Sequence, residues 1–178
     1  MNRNEALLEI KKYLPENPIT CEIGFFKGEY SKIINKILNP KIHYVIDTFY
    51  DTNHISGDKD GENLSCQNMV LMEEYSKSLG FKTIKGNSDK LSECSDSPNF
   101  IYIDADHSYD WVKKDLNNAL RWGSKDICVI SGHDYSEHRF YGCYSAVNEF
   151  CAKNNLLISL LTDDGCPSFF IVVKDNNE

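Results

Sequence analysis

Two short stretches concentrate the residues able to do chemistry: Ile103-Asp104-Ala105-Asp106-His107-Ser108-Tyr109 and Ser131-Gly132-His133-Asp134-Tyr135. Each begins where an apolar run ends. If those runs are neighbouring parallel strands, Asp104, His133 and Asp134 come together. Two carboxylates and an imidazole suit an octahedral divalent cation, Mg²⁺ or Mn²⁺, that keeps open water positions. The competing reading is that these residues cap the next helices or bond loop backbone. Sequence leaves both open.

A third stretch, Cys21-Glu22-Ile23-Gly24-Phe25-Phe26-Lys27-Gly28, reads as strand, glycine turn, helix. Glycines let backbone approach a ligand, and the following helix start offers free N–H groups. It is not the G-x-G-x-x-G dinucleotide fingerprint. The G-x-x-x-G spacing with Glu22 two residues earlier fits a ligand with a positive head better than a pyrophosphate. Asp47 ends the next apolar run, at the spacing where an acidic residue takes ribose hydroxyls. Gly86-Asn87-Ser88 follows another such run, where small polar side chains can meet a purine. A tight turn and a surface Asp are the plainer alternatives.

The elements that must position these residues alternate. Leu7, Ile10 and Leu14 share one face of a first helix, which Pro15 ends. Ile19 to Ile23 reads as a buried strand. A helix follows from about Gly28 to Leu38, with Tyr30, Ile33, Ile34, Ile37 and Leu38 facing inward, and Pro40 beyond it. Ile42 to Ile46 is a second strand ending at Asp47. Residues 48 to 62 are polar and loop-like. A helix then runs to Leu79 with Gly80 as its cap, and Phe81 to Ile84 is a third strand. Phe100 to Ile103 is a fourth, and Ser108 caps a helix that turns Val112, Leu116, Ala119 and Leu120 inward. Ile127 to Ile130 is a fifth, followed by a helix over about Ser145 to Asn154. Leu156 to Leu161 and Ser168 to Val173 form a hairpin around Gly165 and Pro167. This alternation predicts a mostly parallel sheet covered by helices on both faces, as one domain: residues 1–15 an N-terminal helix, 16–174 the core. Ligands of such sheets bind beyond the carboxyl ends of the strands. Trp111 and Trp122 are expected as packing residues, Lys113, Lys114 and Asp115 as a solvated helix face, and Cys128 and Cys151 as small buried hydrophobes.

The surface composition narrows the partners. Among 178 residues, 27 acidic against 19 basic side chains give a net charge of -8, which disfavours nucleic acid and anionic membrane. No apolar run approaches the roughly 20 residues of a membrane span. Seven cysteines are scattered without a C-x-x-C pair, so reduced thiols in a cytoplasmic setting are expected, not a disulfide framework.

Taken in order, E-I-G-F-F-K-G, V-I-D, G-N-S, I-D-A-D-H-S-Y and G-H-D-Y resemble the class I S-adenosylmethionine-dependent methyltransferases, in particular the branch of macrocin-type sugar O-methyltransferases. The resemblance covers about residues 19 to 174. It implies an α/β Rossmann-like three-layer sandwich with a seven-stranded, mostly parallel sheet and an antiparallel last strand. Carried over, Glu22 and Gly24 line the methionine end of S-adenosylmethionine, and Gly28 allows close packing at the next helix. Asp47 takes the ribose, Asn87 and Ser88 lie by the adenine, and Asp106 holds the cofactor ammonium. Metal-dependent relatives place an Asp at the end of the fourth strand and an Asp-Asn pair at the end of the fifth. The matching positions are Asp104 and His133-Asp134, so His133 is expected as ligand, base or supporting group. Their catalytic Lys corresponds to His107, and an imidazole near its unperturbed pKa of ~6.5 removes a hydroxyl proton at neutral pH more readily than an unperturbed Lys. The expected acceptor is a small molecule or glycan, with no nucleic acid or membrane partner and with homodimerisation as an open assembly. Phe49, Tyr50, Asp51, Asn53 and His54 are expected to cover it, with Tyr135 to Tyr141 on the same side. A metal-dependent hydrolase, a nicotinamide oxidoreductase and a non-catalytic binding module are the rivals. The hydrolase leaves the glycine turn and Asp47 unexplained, and the missing fingerprint disfavours the oxidoreductase.

Overall fold

In the computed structural model the described residues are 1–49 and 66–174, with only the backbone described for 66–70. The elements run α1 (Arg3–Ile10), β1 (Ile19–Ile23), α2 (Glu29–Leu38), β2 (Ile42–Asp47), α3 (Cys66–Ser78), β3 (Lys82–Lys85), β4 (Phe100–Ile103), α4 (Tyr109–Trp122), β5 (Ile127–Gly132), α5 (Tyr141–Asn154), β6 (Leu160–Leu161) and β7 (Phe169–Lys174). A 3₁₀ turn over Lys11–Tyr13 extends α1 to the region of Pro15.

Seven strands form one sheet in the order β3-β2-β1-β4-β5-β7-β6. Pairs β1–β2, β1–β4, β2–β3 and β4–β5 are parallel. Strand β7 runs antiparallel to both β5 and β6. The order reverses between β1 and β4, which opens a crevice at their carboxyl ends. The central strands are buried on both faces, the expected consequence of helices above and below. On one face Leu7 and Ile10 of α1 and Ile34 and Leu38 of α2 pack against Phe100, Tyr102, Val129 and Phe170. On the other, α4 and α5 pack Leu116, Ala119, Val147 and Phe150 against Ile23, Ile101, Ile130 and Ile171. The seven-stranded Rossmann-like sandwich with its antiparallel last strand is the fold expected from the sequence.

Five local expectations are corrected. Asp115 is buried, not solvated: it faces Ser88, whose hydroxyl hydrogen-bonds it, while burial pushes its pKa up to about 6. Trp111 is exposed beneath Lys114. Helix α5 starts a turn earlier than its apolar spacing indicates, and the first hairpin arm pairs over Leu160–Leu161 alone. Phe49 is buried against Phe25, with ring centroids 6.3 Å apart, so it belongs to the core beneath α3 and not to a cover over the acceptor. Tyr50, Asp51, Asn53 and His54 lie outside the described residues. Among the described residues no helix is long and apolar enough to cross a membrane, and six cysteines are free.

Candidate active site

The site is set by how closely β1, β4 and β5 meet at their carboxyl ends. Gly24 leaves β1 with φ +92°, and a Cβ there would lie 2.1 Å from the Asp104 carbonyl oxygen. Only a glycine fits both the conformation and the space. Gly132 plays the same steric part between β5 and β4, where a Cβ would sit 2.7 Å from the Ile103 carbonyl oxygen. The His133 N–H then donates to that carbonyl. Ladder and turns thus bring the ends of the two motif strands side by side.

Asp104, His133 and Asp134 converge as expected, with one ligand atom from each within 4.8 Å of the others. His133 Nδ1 is 3.2 Å from Asp134 Oδ1 and 4.0 Å from Asp104 Oδ1. His107 reaches the same place from the start of α4: its Nε2 is 2.8 Å from Asp134 Oδ2 and 3.8 Å from Asp104 Oδ1. Nε2 is shielded from solvent and has no aligned hydrogen bond, because its N–H direction misses the nearby oxygen. Asp134 is nearly buried and sits in the left-handed region at φ 60°, a conformation an Asp tolerates better than most residues. Phe140 packs against the His107 ring, centroids 4.9 Å apart. Two carboxylates and two imidazoles thus crowd one place beside a left-handed backbone.

Charge in this cluster overturns one sequence expectation. Asp104 and Asp134 beside the ring favour its protonated form and push the His107 pKa up to about 10. In the metal-free protein His107 is therefore an imidazolium at neutral pH, not a free base near ~6.5. Burial lowers the pKa of His133, but Asp134 and Asp104 outweigh it and the net shift is upward. Burial opposes ionisation of Asp134, yet His107 and His133 win and hold it well below the usual carboxylate range.

The β1–β2 side is arranged differently. Glu22 is buried beneath the turn and accepts from the Ser31 hydroxyl of α2. His43 Nε2 lies 3.1 Å from Ser31 Oγ, and His43 Nδ1 lies 2.8 Å from Thr20 Oγ1. Burial lowers the His43 pKa to about 3, so the ring is neutral. One consistent proton order has Thr20 donating to Nδ1, Nε2–H to Ser31, and Ser31 to Glu22. No motif flagged Thr20, Ser31 or His43; period-two alternation that places polar Thr20 and His43 at inward positions of two adjacent strands was the available signal. Asp47 accepts the Phe25 N–H at 2.6 Å and the Phe49 N–H at 2.7 Å, one on each carboxylate oxygen. Gly28 caps α2 in the left-handed conformation and lies against the Phe25 ring, where a Cβ would come within 2.3 Å.

The remaining expected residues are less open. Asp106 accepts the Ser108 N–H at 2.7 Å, while the Ser108 side chain makes no capping bond to α4. Asn87 caps the next short 3₁₀ turn by accepting from the Asp89 N–H. Ser88 is fully buried and its hydroxyl is taken by Asn118 and Asp115. A cavity of about 210 Å³ bounded by Ala119, Lys125, Cys128 and Val173 lies at the opposite end of β5 and takes no part in the site.

No family model and no curated protein matches the chain. Solved structures do match in shape. The O-methyltransferase NovP aligns at TM-score 0.65 and 18% identity over 97% of this chain and 79% of its own. A SAM-dependent methyltransferase from Aquifex aeolicus aligns at TM-score 0.63 and 16% identity, covering 96% and 89%. A ribosomal protein L11 methylase from Lactobacillus delbrueckii subsp. bulgaricus aligns at TM-score 0.61 and 12% identity, covering 97% and 79%. The chain has the methyltransferase variant of the Rossmann-like fold. At these identities the likeness speaks for fold alone; one of these proteins is an O-methyltransferase and another a methylase of ribosomal protein L11 by name.

Proposed function

We propose that the protein is an S-adenosylmethionine-dependent O-methyltransferase acting on a small hydroxylated acceptor, a sugar or glycan, with help from a divalent cation. The observation that carries this is the Asp104–His107–His133–Asp134 cluster, set at the reversal of strand order beside the Gly24 turn. The cofactor supplies an electrophilic methyl group and the cation lowers the pKa of a hydroxyl it binds. Asp104 and Asp134, with His133, are the residues suited to hold Mg²⁺ or Mn²⁺. In this reading Gly24 and Asp106 meet the methionine end, and Glu22 supports the turn from beneath through Ser31. Each Asp47 oxygen keeps a lone pair for a ribose hydroxyl after its backbone bond, and Asn87 stands at the adenine end.

Within this reading His107 receives the acceptor proton only once the carboxylates that favour its protonated form are otherwise engaged. The Phe140 ring keeps the imidazole in place. Positioning contributes as much as acid–base chemistry, since the acceptor oxygen must lie in line with the transferred carbon.

Calorimetry with S-adenosylhomocysteine, with and without Mn²⁺, tests both parts. Micromolar binding, roughly -8 kcal/mol, is expected, with a separate Mn²⁺ site that Asp104→Asn removes. Nucleoside binding with no metal site would leave a methyltransferase working by acid–base chemistry alone. A metal site with no nucleoside binding would favour the hydrolase.

A further inference from the structure

Helix α1 brings to the site a charged group that the motifs do not include. Arg3 is its first residue. The helix start is fastened at the carboxyl edge of the sheet: the Met1 ammonium pairs with Asp163 at 2.5 Å, and the Arg3 N–H donates to Asp164 at 3.3 Å. The Arg3 guanidinium carbon lies 4.7 Å from the centroid of Tyr30, in the first turn of α2 just after Gly28. The guanidinium also lies near Tyr102, two residues before Asp104 on β4. It therefore lies between the turn after β1 and the end of β4. It is partly buried, and among the described residues it enters no salt bridge. Its charge is nonetheless felt at Glu22, Asp104 and His133.

A guanidinium has five donors in a planar fork, and those not turned to Tyr102 can take a carboxylate through two parallel bonds. The surrounding carboxylates disfavour a doubly charged phosphate and favour a zwitterion whose ammonium faces them. We infer that Arg3 binds the α-carboxylate of the amino-acid end of the nucleoside ligand, at the junction of β1 and β4. This rests on the S-adenosylmethionine reading above. A purely structural Arg3, clamping α1 to α2 through Tyr30, would affect stability without distinguishing ligands.

The experiment compares two ligands by calorimetry: S-adenosylhomocysteine, and its decarboxylated analogue S-adenosyl-3-thiopropylamine, which keeps the amine and the adenosine. Arg3→Met should weaken the first by about tenfold to a hundredfold, the span of a charged hydrogen-bonded pair, and leave the second within about twofold. Arg3→Lys should recover part of the loss, and serves as the test if Arg3→Met does not fold. Equal losses for both ligands, or unchanged S-adenosylhomocysteine affinity, would overturn the inference while the cofactor reading stands. Folded wild type binding neither ligand would remove the cofactor reading and this inference with it.

Discussion

The two halves of the sheet's carboxyl edge treat their acidic residues in opposite ways. At β1–β2, Glu22 and Asp47 are satisfied from within: one ends a hydroxyl–imidazole chain, the other accepts two backbone N–H groups. At β4–β5, Asp104 and Asp134 face two imidazoles, one ring nitrogen lacks an aligned partner, and Asp134 holds a left-handed backbone. The first half is a wall held in shape by its own hydrogen bonds. The second carries local conflict that a ligand would resolve. Such conflict is expected at working sites, where strain is retained for function.

The difference can be broken most severely at Asp134. Asp134→Ala should abolish Mn²⁺ binding and reduce methyl transfer by on the order of a hundredfold or more, with S-adenosylhomocysteine affinity nearly unchanged. Loss of nucleoside binding in this variant would mean that the halves are one unit. Gly24→Ala attacks the seam between them. Its Cβ would meet the Asp104 carbonyl at 2.1 Å with φ at +92°, so urea unfolding should show a loss of about 3 kcal/mol or more. A loss under about 1 kcal/mol would show that the turn can relax.

Asp47→Ala probes the satisfied half alone. It should weaken S-adenosylhomocysteine by about 1.5–3 kcal/mol and leave Mn²⁺ binding intact; calorimetry reads both in one series. The smallest effect is in pH. His107 has its folded pKa raised to about 10 from ~6.5, so its contribution is complete below pH ~6.5 and disappears as pH rises through 10. Asp134 is shifted downward, so its contribution is complete above ~4 and disappears as pH falls through its lower folded value. The pair is strongest between about pH 4 and 6.5. In metal-free protein the drop in Tm from His107→Gln should be largest there and shrink above pH 10. An equal drop at pH 5 and 10.5 would remove the ion pair.

Most elements were readable from the chain because their signals are local. Apolar runs bounded by Pro, Gly and Asp placed β1 and β4 at their observed limits, and i, i+3, i+4 spacing placed α2. The misses came from neighbours the chain does not announce. Asp115 sits in a polar run of α4, and only the approach of the Asn87-Ser88 segment buries it. Phe49 follows a strand end like a surface aromatic, and α3 covers it. Thr20, Ser31 and His43 come from three elements and meet only when β1, β2 and α2 pack.

By itself the sequence determined an alternating α/β chain and which acidic and imidazole residues stand at the strand ends, because both follow from periodicity and from what ends an apolar run. It also identified Asp104, His133 and Asp134 as a group, given adjacent parallel strands. Only the tertiary structure decided their chemical state. The closeness of Asp104 and Asp134 sets the proton on His107, and no sequence pattern carries that distance. Only the tertiary structure, too, brought Arg3 from the first turn of the chain to the end of β4, since that contact depends on how α1 docks across α2. Pattern fixes which face and which end a residue occupies; electrostatics depends on separations of a few ångströms, and packing alone sets those.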